Sequence, residues 1–117
     1  MVGVAGLLFQ IILGFTLANN HELFSTLILP HIVIGVGGIA LAGYLAWRSF
    51  MGSSRGVKLL YGMTFVLVLA QVALGFEVLT VGTYLLVMSH EAVAFTILVF
   101  LAASEAFALR QVRKVPA

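Results

Sequence analysis

Gln10-Ile-Ile-Leu-Gly14-Phe15 recurs in the second half of this chain of 117 residues as Gln71-Val-Ala-Leu-Gly75-Phe76. The repetition extends outward from both copies. His31 follows its glutamine by 21 residues and His90 follows its own by 19, and Ala46-Trp47-Arg48 is answered by Ala108-Leu109-Arg110. Each copy sits in an apolar run, each histidine lies in the outward half of the next one, and a cation ends each unit. The chain therefore divides into two tandem two-helix repeats, about residues 1–50 and 57–112, within one domain spanning 1–117. Two crossings return a chain to the side from which it started. The second hairpin then enters with the orientation of the first, and the two are related by a pseudo-twofold axis along the membrane normal.

The composition requires a membrane. Hydrophobic residues make up 62% of the chain, charged residues 9%, and the mean hydropathy is +1.19. A helix needs about 20 apolar residues to cross the hydrocarbon core, so four crossings use nearly the whole length. The spans fall at about Val2–Ala18, Leu23–Trp47, Leu59–Leu79 and Tyr84–Leu109, with Pro30 expected in a first helical turn, where proline fits best. Met51-Gly-Ser-Ser-Arg-Gly56 and Thr80 to Thr83 are turns by composition. The fold expected is an all-α integral membrane four-helix bundle. Val2 to Ala18 has neither a basic flank nor a small-residue cleavage signal, which predicts a retained helix.

Large soluble catalytic domains and nucleotide-binding α/β units are excluded by length. The basic pI of 9.4 does not call for nucleic acid, because the six cations have a topological reading. Arg48, Arg55 and Lys58 flank the middle turn, and Arg110, Arg113 and Lys114 follow the last span, so all six fall on one side. The positive-inside bias makes that side cytoplasmic, which places both termini in the cytoplasm of a multi-pass cell-membrane protein and the turns near residues 19–25 and 80–84 outside. There is no cysteine, so disulfides, thiolate nucleophiles and iron–sulfur ligation are ruled out.

Chemistry concentrates on the two histidines. In an up-and-down bundle the second and fourth helices are diagonal partners, and such bundles hold cofactors between facing helices. His31 and His90 project from the outward halves of these helices at equivalent repeat positions, which points to the two axial ligands of a haem iron, with haem b as the cofactor. Gly35 and Gly38 lie on the His31 face and Ala94 on the His90 face, where small residues leave room. Gln10 and Gln71 share a helix face with the glycines four residues on, and are expected to line the interior, by hydrogen bonding between helices or by touching the cofactor.

Other readings remain beside this one. The histidines could simply hydrogen-bond between helices, or hold a bare metal ion, although zinc wants three or four protein ligands. His21 and Glu22 in the outer turn have no repeat counterparts and suit a solvated surface; with Asn19, Asn20, Thr80 and Tyr84 they are also candidates to neighbour haem propionates. Glu105 could pair with Arg110. Glu77 lies near the outer end of its span, and Tyr44 and Trp47 suit an inner interface.

Gln71-Val-Ala-Leu-Gly75, then Gly82 and a leucine-rich stretch before His90, together with His31, its following glycines and Ala46-Trp47-Arg48, resemble the haem A synthase family over nearly all 117 residues. That family oxidises a methyl group of haem O to the formyl group of haem A. Its usual members carry eight spanning helices in two similar four-helix domains, so this chain is similar to a half-size member. The resemblance implies haem ligation by His31 and His90, haem O and haem A as substrate and product, and a homo-oligomer or membrane-complex partner supplying the second domain. Ile28 stands where the family's catalytic half carries a glutamate, and the outer-loop cysteine pair of many members is absent. Glu91, beside a ligand in the outward half, is the candidate catalytic carboxylate. The alternative is a bis-histidine b-type cytochrome acting only in electron transfer, such as a respiratory-complex subunit.

Overall fold

The computed structural model describes residues 2–113 as four helices in chain order: α1 Val2–Asn19, α2 Phe24–Gly52, α3 Arg55–Thr80 and α4 Tyr84–Val112. Consecutive helices pack together and α4 closes the ring on α1, whereas no Cα atoms of either diagonal pair, α1 with α3 or α2 with α4, approach within 8 Å among the described residues. This is the up-and-down bundle expected, elongated to 55 × 20 × 19 Å. α2, α3 and α4 are long and apolar enough to cross a membrane. α1 has 18 residues and at 1.5 Å per residue is about 27 Å long, just under a hydrocarbon core of about 30 Å.

The distribution of side chains inverts that of a soluble bundle. Trp47, Phe50, Phe76, Tyr84 and Val99 are each more than 60% exposed, an apolar exterior suited to lipid. Small residues and hydroxyls occupy much of the close-packed part instead: Ala42, Ala46, Ser49, Thr64 and Ser104 are buried beside Val57, Ile97 and Leu101. Small side chains let helix backbones approach where lipid gives no hydrophobic drive for association. The buried hydroxyls are satisfied within their own helices, Ser49 donating to the Ala46 carbonyl at 2.7 Å, Thr64 to Leu60 at 2.8 Å and Ser104 to Phe100 at 2.6 Å.

The turns follow local chemistry. Asn20 Oδ1 accepts from the Glu22 and Leu23 amides at 3.2 and 3.4 Å, shaping the α1–α2 turn. Between α3 and α4, Gly82 takes φ +63, open to glycine at little cost, and Thr83 caps α4 by accepting from the Leu86 amide. At the opposite end the Gln111 amide donates to the Ser54 hydroxyl. That contact brings the end of α4 beside the α2–α3 turn, so Arg48, Arg55, Lys58, Arg110 and Arg113 gather at one end of the bundle. Lys114 lies outside the described residues.

Several boundaries differ from the sequence expectation, and α3 begins at Arg55 rather than Leu59, which narrows the expected Met51–Gly56 turn to Ser53 and Ser54. Pro30 is not in the first turn of α2, because the helix begins at Phe24 and runs through it. The proline removes one helical donor, which leaves the Thr26 carbonyl without its usual partner, and Thr26 is exposed near the outer end where headgroups or water can serve it. At the cationic end α2 and α4 continue beyond Arg48 and Arg110 to Gly52 and Val112. Long cationic side chains reach water from a continuing helix, so the end of an apolar run is not the end of the helix.

Candidate functional site

The open space of the bundle is a cavity of about 780 Å³ between all four helices, within the range of small-ligand and cofactor sites. Its wall repeats with the sequence. Leu7, Gln10, Ile11, Gly14 and Phe15 of α1 line it, and so do Val68, Gln71, Val72, Gly75 and Phe76 at the matching positions of α3. On the diagonal pair, Ile28, His31, Gly35, Val36 and Ala42 of α2 are answered by Val87, His90, Ala94, Phe95 and Leu101 of α4. Two helical hairpins with the same internal register thus enclose a pocket with approximate twofold symmetry.

His31 and His90 meet across this cavity, with ring centroids 6.4 Å apart and planes inclined by 63°. Each ring is seated on the glycine of the helix before it. A Cβ on Gly14 would stand 3.1 Å from His31 Cε1, and one on Gly75 would stand 3.0 Å from His90 Cε1. The sequence pairs each of these glycines with a glutamine but does not show that they support the rings. The signal was present in the one-turn spacing that puts Gln10 with Gly14, and Gln71 with Gly75, on one face.

The glutamines reach the histidines in two different ways. Gln10 Nε2 donates to the backbone carbonyl of His31 at 2.8 Å. Gln71 Nε2 lies 3.2 Å from the ring nitrogen Nε2 of His90. Interhelical hydrogen bonding is therefore part of what these residues do. It leaves a polar deficit, since Gln10 Oε1, His31 Nδ1, Gln71 Oε1 and His90 Nδ1 are buried without a partner. An unsatisfied buried polar atom costs about 1–3 kcal/mol. All four such atoms found among the described residues belong to this one cluster.

The remaining candidates are placed as follows. Gly35 is covered by Gln10, whose Nε2 would be 3.3 Å from a Cβ there, whereas Gly38 lines the cavity with nothing within 4 Å of its Cβ position. Glu91 is half-buried and lies on the cavity wall, opposite in the repeat to Ile32, so it is the one carboxylate among the lining residues. His21, Glu22 and Glu77 are exposed, and none of them lines the cavity. Asn19 and Thr80 donate to carbonyls of their own helices, Phe15 and Phe76. Tyr84 is 79% exposed. Glu105 approaches the Cβ position of Gly3 on α1 at 3.4 Å.

Among the described residues no three histidine, aspartate or glutamate side chains cluster to hold a bare metal ion. The spacing of the two imidazoles does fit a metal already held by a macrocycle. With metal–nitrogen bonds of about 2 Å and ring nitrogens about 1 Å from the ring centre, two imidazoles on one metal have centroids about 6 Å apart. The open Gly38 wall agrees with such a group. Compared with family models, curated proteins and solved structures, the chain matches none.

Proposed function

We propose that this chain is a membrane haem protein in which His31 and His90 hold haem b between α2 and α4, and that it serves as an oxidoreductase. The observation that carries the reading is the histidine pair at 6.4 Å on the wall of a cavity shared by all four helices. Haem bound there supplies a one-electron ferric–ferrous couple in apolar surroundings. The chain's own residues do the rest. Gly14 and Gly75 seat the imidazoles, Gln10 fixes the backbone that carries one of them, and the apolar walls keep bulk water out. By the positive-inside bias the cationic end is cytoplasmic and the histidine end faces outward.

Loading the purified protein with haem b tests this reading. A low-spin spectrum at one haem per chain supports it, and a protein that stays colourless overturns it. A second reading goes further, to the methyl oxidation of haem O that the resemblance to the haem A synthase family implies. It is favoured by one observation, the Glu91 carboxylate on the cavity wall. Ile28, in place of that family's glutamate, favours electron transfer instead.

A further inference from the structure

The two halves of the site differ by one methyl group at the position after the histidine turn. In the first repeat it is Gly35, and the missing Cβ is what lets the Gln10 amide pass over α2 to the His31 carbonyl; a Cβ there would stand 3.3 Å from that amide nitrogen. In the second repeat the equivalent residue is Ala94, which is buried and carries its Cβ at that place. Gln71 does not take the pose of Gln10. Its amide stops at the ring of His90, 3.2 Å from Nε2. Whichever end of the amide faces the ring, that nitrogen is taken. His31 has no side-chain hydrogen bond, and its Nδ1 is buried without one.

Nε2 is the imidazole nitrogen farther from the main chain, and so the one that reaches a group in the middle of a cavity. Resting on the haem reading above, we propose that the two ligands are unequal: His31 is the fixed ligand, and His90, which Gln71 competes for, is the exchangeable one. The His90 side is then a binding site for a small neutral diatomic ligand of the carbon monoxide type. Gln71 catches the imidazole when the ligand displaces it. A net hydrogen bond of about 0.5–1.5 kcal/mol corresponds to a bias of about two- to twelvefold toward the displaced state.

The experiment uses the full chain loaded with haem b and titrates the reduced protein with carbon monoxide. Wild type should bind it with loss of His90 ligation. Ala94→Gly lets Gln71 move to the His90 carbonyl, and Gln71→Leu removes the competitor outright, so both should bind carbon monoxide about twofold to twelvefold more weakly. Unchanged affinity in both variants, with haem bound, overturns the inequality and leaves the haem reading standing. A wild type that takes up no haem overturns the haem reading and the diatomic site together. The Gln71 contact has its own readout without haem: the ¹⁵N resonance of His90 Nε2 should shift in Gln71→Leu while that of His31 stays. An unmoved His90 resonance overturns the inference whatever the haem result.

Discussion

The His90 ring lies so close to Gly75 that a Cβ there would stand 3.0 Å from its Cε1 atom, and Gly14 holds His31 in the same way at 3.1 Å. The repeat is thus conserved within the chain in geometry as well as in letters. Adding a methyl group at either glycine forces the imidazole out of its seat, since overfilling a packed site costs about 1–3 kcal/mol. Gly75→Ala and Gly14→Ala should each weaken haem binding by about tenfold or more, measured by haem titration. Gly62→Ala, where a Cβ meets nothing within 4 Å, should leave haem binding unchanged. Equal behaviour of all three would show that the glycines do not seat the histidines.

His31→Ala and His90→Ala should both abolish the low-spin spectrum while the bundle still inserts, because apolar helices drive insertion and iron ligation does not. His90→Ala should keep haem in a high-spin form, since the fixed ligand remains, and His31→Ala should lose most of it. His21→Ala should change neither, its side chain being exposed in the α1–α2 turn. Absorption spectra of the three purified variants check this, and loss of the low-spin signal in His21→Ala would move the site into that turn.

Reporters fused at Ser53 and at the C-terminus should both be cytoplasmic, and one at Asn20 should be outside. The Gln111–Ser54 contact already places the end of α4 beside the α2–α3 turn, so these two positions share a side whatever the absolute orientation. The charge bias decides which side that is. Ser53 and the C-terminus on opposite sides would mean that one helix does not cross.

The four helices and the placement of the histidines on diagonal helices were legible because each depends on a pattern many residues long. Hydropathy over about 20 positions fixes a crossing, and two matched hairpins fix a ring. What escaped depended on single atoms. The helical turns before Pro30 were hidden because it resembles a first-turn proline, while Asn20 shapes the turn ten residues earlier. The seating of His90 on Gly75 needs a distance. The different reach of Gln10 and Gln71 goes with a single methyl difference, Ala94 against Gly35, which no periodicity encodes.

Glu91 separates an enzyme from an electron carrier. It is the one carboxylate on an otherwise nearly apolar wall, at the position where the first repeat has Ile32. A carboxylate that takes part in oxidising a bound substrate must reach the reacting region, and replacing it lowers the rate with little change in binding. If the chain oxidises haem O, cells that make haem O should accumulate haem A when it is expressed with oxygen and an electron supply. Glu91→Gln should then cut that yield at least tenfold while the haem b spectrum survives, because neither His31 nor His90 is altered. Glu91→Ile, which places the first repeat's residue at that position, should behave the same way. Extraction and chromatography of the haems measures the yield. Wild type that makes no haem A would leave the bis-histidine electron carrier, for which Ile28 and the near-symmetry of the cavity already speak, and Glu91→Gln would then alter neither haem content nor the rate of reduction.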